Sequence, residues 1–145
     1  MDYRNAFAIS ASGMDVEKTR LDVTAVNLAN IHSTRGPDGT VFRPLHVTSV
    51  EASGSFSNQF EQLAGAQLHG AQVASVEASD VAPHKVYDPG NPDADEKGFV
   101  TLPGVNQVTE MVNMATALRA YEANVVALNA AKTMALKALE LGGSQ

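Results

Sequence analysis

The residues best equipped for chemistry in this 145-residue chain lie between Asp88 and Glu96. Asp88, Asp93, Asp95 and Glu96 gather four carboxylates among Pro89, Gly90, Asn91, Pro92 and Ala94. Such a loop could hold a hard cation, but it lacks the alternate-residue spacing and central glycine of a calcium loop. A solvated, proline-stiffened turn is the expectation. His32, His46, His69 and His84 show no HxxxH or comparable metal-binding spacing. No GxGxxG, GxxxxGK[ST] or GxSxG motif is present. These absences leave no catalytic case: no catalytic residue, cofactor or metal ligand is expected.

The strongest pattern is structural and runs from Val105 to Leu141. Met111, Met114, Leu118, Tyr121, Val125, Leu128, Ala135 and Leu139 recur three and four residues apart, with Lys132 in one polar slot. This is the a/d seam of a coiled coil. The stretch contains no Pro or Gly, and Gly142-Gly143 follows where helices stop. Asn106 is placed to cap the start, and Glu110 in the first turn suits the helix dipole. A helix of about 35 residues runs about 50 Å, too long for the core of a compact domain this size. Its seam needs another long helix.

That partner is expected at the other end. From Tyr3 to Ile31, Phe7, Ala11, Met14, Leu21, Ala25 and Leu28 form a second stripe, interrupted by Lys18. Ile9, Val16 and Val23 make another apolar line about half a turn away. A helix with two apolar faces is buried on both. One face would pair with the C-terminal helix and the other would meet a neighbouring subunit.

Between the helices the pattern turns β-like. Arg35-Gly36-Pro37-Asp38-Gly39 is turn chemistry. Val41–Val50 reads as a strand, with Leu45, Val47 and Ser49 on one side. Further extended pieces are expected over Gln67–Asp80, His84–Tyr87 and Gly98–Leu102, and a flexible loop near 52–66. The resulting fold class is α+β: long N- and C-terminal helices in an antiparallel coiled-coil-like pair (residues 1–34 and 105–145), with a small β-rich domain, residues 35–104, inserted between them.

Composition narrows the functions. A net charge of -6 with no basic cluster argues against nucleic acid. Without cysteine there is neither disulfide nor thiolate metal site. No apolar run reaches the roughly 20 residues that span a bilayer. Met1-Asp2-Tyr3-Arg4-Asn5 does not open a cleavable Sec leader. A self-associating structural protein is the reading that remains, and a binding module working through Asp88–Glu96 is the alternative.

Specific motifs sharpen this. Ala11-Ser12-Gly13-Met14, Leu21-Asp22-Val23, Asn27-Leu28-Ala29-Asn30 and Ser33-Thr34 form one set. Tyr87-Asp88-Pro89-Gly90, Gly98-Phe99-Val100, Pro103-Gly104-Val105-Asn106, Glu110-Met111-Val112-Asn113-Met114 and Arg119-Ala120-Tyr121-Glu122-Ala123-Asn124-Val125 form another. Together they resemble the bacterial flagellar rod and hook proteins, and the second set resembles the proximal rod branch. Val26 stands where that family often has Asn, and the turn at 35–39 is longer than its usual one.

The resemblance implies a structural subunit of the basal-body rod, assembled helically across the periplasm. It implies export through the flagellar type III apparatus without leader cleavage. Partners would be copies of the chain, other rod proteins, and basal-body or export-apparatus components. Another rod subunit of the same family is a further alternative.

Overall fold

The structure, a computed structural model, describes residues 3–36, 38–52 and 69–142. The loop expected near 52–66 lies, after Ala52, outside these residues. In chain order the elements are α1 (Tyr3–Ala29), β1 (Leu45–Glu51), β2 (Ala71–Ala78), β3 (His84–Tyr87), β4 (Phe99–Leu102) and α2 (Gln107–Gly142). Two long helices and small sheets make the chain α+β.

Helix α1 ends because Asn30 turns its side chain back on the helix. Its Nδ2 donates to Val26 O at 2.9 Å, while Ser33 Oγ donates to Asn30 Oδ1 at 3.1 Å. Helix α2 starts at the expected cap: Thr109 N–H donates to Asn106 Oδ1 at 3.1 Å. Thirty-six residues then follow without a break.

Strands β1 and β2 form one two-stranded sheet. Ser79 N–H donates to Pro44 O and Ala52 N–H to Gly70 O, one bond beyond each end, so the strands run antiparallel. Along β1, Leu45, Val47 and Ser49 are half-buried while His46, Thr48 and Val50 are exposed, the expected alternation.

Strands β3 and β4 pair antiparallel in register, from His84 opposite Leu102 to Tyr87 opposite Phe99. The loop joining them is the acidic, proline-rich segment. Asp95 organises it by accepting the Lys97 and Phe99 N–H groups on Oδ1, each at 2.9 Å. The Phe99 N–H bond is the main cause holding the Asp95 carboxyl below its ordinary pKa, against the opposing effect of desolvation. Lys97 N–H and the Lys85 ammonium, 3.7 Å away, add to the lowering. A depressed carboxylate steadies the fold above the ordinary value of about 3.9, and that contribution is lost as pH falls through the lower folded value. Gly98 closes the loop at φ 77°, where a side chain is disfavoured.

The chain divides into two compact units that each take part of both helices. One holds Met1–Thr19, Ser49–Ala74 and Ala117–Gln145; the other holds Arg20–Thr48 and Ser75–Thr116. In the first, Val16, Ala117 and Ala131 are buried, and in the second Val100, Pro103 and Val105.

The glycine at the β3–β4 loop supplies a direct check. A Cβ at Gly98 would sit 2.9 Å from the Tyr87 ring, which packs edge-on against Phe99 with centroids 5.4 Å apart. Gly39 shares the positive φ, 75°, but nothing lies within 4 Å of its Cβ position. Gly39→Ala should therefore cost only the left-handed backbone penalty of about 1 kcal/mol, and Gly98→Ala about 2 kcal/mol or more. Chemical denaturation of the two variants checks this; equal losses would remove the Tyr87 contact from the account.

Candidate assembly interface

Helices this long have to place side chains on two kinds of surface, one turned toward their own chain and one left outside. On α2 the inward line is Glu110, Met114, Ala117, Tyr121, Asn124, Leu128, Ala131 and Ala135, all buried or half-buried. Its spacing is four, three, four, three throughout. Met114, Tyr121, Leu128 and Ala135 were expected there. The intervening positions were not: the line passes through Glu110, Ala117, Asn124 and Ala131 rather than Met111, Leu118, Val125 and Lys132. Met111 is 55 % exposed, Leu118 47 % and Leu139 72 %, and Lys132 is exposed as well. Val125 is half-buried beside the seam. The expected seam is thus one residue out of phase at every second position.

The same correction holds for α1. Its most buried residues are Ser10, Val16, Thr24 and Asn27. Phe7, Met14, Leu21 and Leu28 are half-buried beside that line, as are Ile9 and Val23, while Ala25 and Lys18 are exposed. Neither lysine occupies a core slot.

The physical reason is closeness. In the first unit Gly13 lies against Asn124, and an added Cβ would fall 2.9 Å from Asn124 Nδ2. Bulky a/d residues would hold two backbones further apart than that. Gly inside a helix costs roughly 0.5–1 kcal/mol, so its presence at 13 marks a place where close approach repays the loss. Asn124 satisfies its own amide by donating to Ala120 O at 3.1 Å. One residue earlier, Ser12 Oγ accepts from Ala71 N–H at 3.1 Å and donates to Ile9 O at 2.8 Å. Gly70, beside it, has no room for a Cβ.

In the second unit the junction is Asn27, 2 % exposed. Its Oδ1 accepts from Leu45 N–H at 2.8 Å and its Nδ2 donates to Leu45 O at 2.8 Å. The side chain pairs with the Leu45 backbone as a neighbouring strand would. The same Nδ2 donates to Glu110 Oε2 at 3.0 Å. One amide thus ties α1 to the first residue of β1 and to the first turn of α2. Every buried side-chain polar atom among the described residues has a hydrogen-bond partner.

Outside this seam, α2 leaves large apolar side chains uncovered: Val108, Met111, Val112, Leu118, Val126 and Leu136 are 47–71 % exposed. Scattered exposed apolar residues are ordinary, whereas several large ones gathered on one helix face, here around the exposed Arg119 and Glu122, mark an interaction surface.

Comparison with known proteins decides the family. The family described as "Flagellar basal body rod FlgEFG protein C-terminal" matches residues 96–141, nearly all of α2. The chain is 44 % identical over 138 residues to "Flagellar basal-body rod protein FlgC" of Escherichia coli O6:H1, covering 95 % of this chain and 96 % of that protein. It is 37 % identical to the FlgC protein of Bacillus subtilis, over 92 % and 94 % of the two chains. The FlgC protein of Aquifex aeolicus is 42 % identical, over 91 % of each. The chain belongs to the FlgC family.

The motif residues behind the resemblance can now be located. Asn27 and Asn30 form the junction and the helix stop just described. Tyr87, Asp88, Pro89 and Gly90 begin the FlgC-like loop: Tyr87 packs on Phe99, and Asp88 N–H donates to Gly98 O at 2.9 Å. The loop is solvated over most of its length, as expected: Asp88, Pro89, Gly90, Pro92, Asp95 and Glu96 are exposed. Asp93 accepts from Thr34 Oγ1 at 2.6 Å, and Arg35 Nε lies 3.9 Å away, so the loop is pinned to the turn after α1. Asp93 and Asp95 are engaged within the chain, which argues against a binding module built on this loop. Among the described residues no group of three His, Asp or Glu could hold a metal ion. No helix is long and apolar enough to cross a membrane among the same residues.

Residue-type reasoning missed Ser12, Gly13, Glu110, Ala117, Asn124 and Ala131 as seam and anchor positions. The available signal was the small-polar repeat itself, together with a glycine inside an otherwise strong helix. Asn27→Leu keeps the volume but strands Leu45 N–H and C=O and removes the donor to Glu110. With roughly 1–3 kcal/mol per buried group left unpaired, the unfolding free energy should drop by at least about 2 kcal/mol in urea titration. A drop below about 0.5 kcal/mol, typical of unremarkable surface sites, would mean that Asn27 joins nothing of consequence.

Proposed function

We propose that this chain is a structural subunit of the flagellar basal-body rod, without catalytic activity. In this reading it assembles helically with copies of itself and with other rod proteins into the shaft and export channel that cross the periplasm. The observation that carries it is the uncovered apolar face of α2, on a chain 44 % identical over 95 % of its length to a protein named as a rod component. Large apolar side chains gathered on one exposed helix face are a liability in a monomer and an asset in a polymer, where a neighbour covers them.

The terminal helices then form an antiparallel coiled-coil-like pair. The contacts of Gly13 with Asn124 and of Asn27 with Glu110 support this, because residue numbers rise along α1 as they fall along α2. The pair forms the assembly domain (1–34 and 105–145), and the β-rich segment 35–104 is its insertion. Passage through the flagellar type III apparatus without a cleaved leader suits such a chain, since long helices are marginal in water until they meet their packing partners, so the chain can be threaded unfolded and the two helices pair on exit. Export-apparatus and basal-body components are the neighbours expected at the base of the rod.

Because Leu118 is exposed in the single chain, Leu118→Asp should leave the folded monomer within about 0.5 kcal/mol of the parent. It should nonetheless abolish incorporation into basal bodies and swimming in cells lacking their own FlgC, because a carboxylate would be buried at the contact. Ala117→Asp, one residue away but inside the seam, should unfold the chain itself. Normal swimming with Leu118→Asp would rule out the α2 face as an assembly surface.

A further inference from the structure

We propose that the outer face of α2 in one copy receives the outer face of α1 from a second copy, running parallel. The register sets Asp15 against Arg119 and Lys18 against Glu122. The inference rests on the rod reading and names the partner and alignment for the surface that reading leaves open.

The α1 face opposite its buried line carries Ala8, Ala11, Asp15, Lys18 and Asp22, spaced three, four, three, four. The α2 face opposite its buried line carries Val112, Ala115, Arg119, Glu122 and Val126, with the same spacing in the same phase. All but the half-buried Ala11 are exposed. A constant offset of 104 residues therefore aligns the two faces position for position. It places the small Ala8 opposite Val112 and Ala11 opposite Ala115, so that the helices can approach. It also places each acid of the central turn opposite a base.

Asp15, Lys18, Arg119 and Glu122 are in none of the ion pairs found among the described residues, so all four charges are available to a neighbour. Other alignments fail. A shift of one heptad either way puts Asp15 on Val112 or Val126 and Lys18 on Ala115 or Asn129. The parallel register leaves Asp22 opposite Val126, whereas an antiparallel alignment that pairs Lys18 with Glu122 leaves both Asp15 and Asp22 on apolar residues, Val125 and Leu118. One that pairs Asp15 with Arg119 leaves Lys18 on Thr116. Only the parallel register satisfies both pairs.

The contact cannot close within one chain, because there α1 and α2 meet through their opposite faces, at Gly13 and Asn124. It must come from another copy. The two faces differ, so every copy that docks by α1 still presents its own α2, and the contact propagates rather than stopping at a dimer.

The test is a charge exchange followed by a cross-link, in cells lacking their own FlgC. Asp15→Arg and Arg119→Asp, made separately, should each reduce the chain recovered in purified basal bodies at least about tenfold, since like charges then face each other at every contact. The double exchange in one chain should restore recovery to within about twofold of the parent, the signature of a coupled pair. Circular dichroism of the purified variants should be unchanged, as the positions are exposed. The natural chain has no cysteine. In the Ala11→Cys/Ala115→Cys variant, oxidation of basal bodies should therefore give a ladder of disulfide-linked copies. A double exchange that fails to restore recovery, with a cysteine variant that enters basal bodies but gives no ladder, would overturn this register while leaving the rod reading intact. Absence of the unmodified chain from basal bodies would overturn the rod reading itself.

Discussion

The side chain of Asn27 is the constraint on which the second unit depends. A buried amide has donors and acceptors that must all be met, and here they are met by two separate segments, the start of β1 and the first turn of α2. Leu45 offers both its N–H and its C=O, so the amide fixes where the strand begins and how it is turned. Glu110 brings a carboxylate to the positive end of α2, where the helix dipole already favours it. No apolar residue of the same size could do this, because hydrophobic packing is non-directional.

A similar logic runs through the first unit. Ser12 holds the start of β2 and Gly13 admits α2, so two adjacent small residues do what bulky ones would prevent. The consequence reaches function. Placing Ser, Gly, Ala, Thr and Asn in the inner seam, between larger residues such as Met114, Tyr121 and Leu128, leaves other large side chains for the outside. Met111, Leu118 and Leu136 then form a surface that a single chain leaves wet. A polymer subunit needs that division, because its own pairing must survive before assembly without using up the residues that bind its neighbours.

Much of this was legible in the residues. Both helices, the Asn106 cap, the role of Glu110 in the first turn, the alternation along β1 and the short pieces that became β3 and β4 follow from periodicity and turn chemistry. The phase of the seam did not. Hydrophobic periodicity assigns the bulkiest stripe to the inside, and α2 carries bulky residues on more than one side. Met114, Tyr121 and Leu128 belong to both candidate lines, so the pattern alone cannot choose between Met111 and Glu110, or between Leu118 and Ala117, as their companions. What chooses is tertiary: the approach of Gly13 to Asn124 in the first unit and the bond from Asn27 to Glu110 in the second. The loop at 88–96 is the solvated turn that its residues announce, but one of its ties is not local. The bond from Thr34 to Asp93 depends on a chain reversal that local sequence does not specify.

The measurement that bears most directly on this account is oxidative footprinting of the methionines, read by mass spectrometry, on the free chain and on assembled basal bodies. Met111 and Met114 are neighbours on α2 that differ by which face they occupy. The account predicts that in the free chain Met111 oxidises quickly and Met114 slowly, and that Met111 becomes protected only after assembly. Equal protection of both in the free chain would contradict it, since Met111 would then lie in the inner seam and the outward apolar face would not exist.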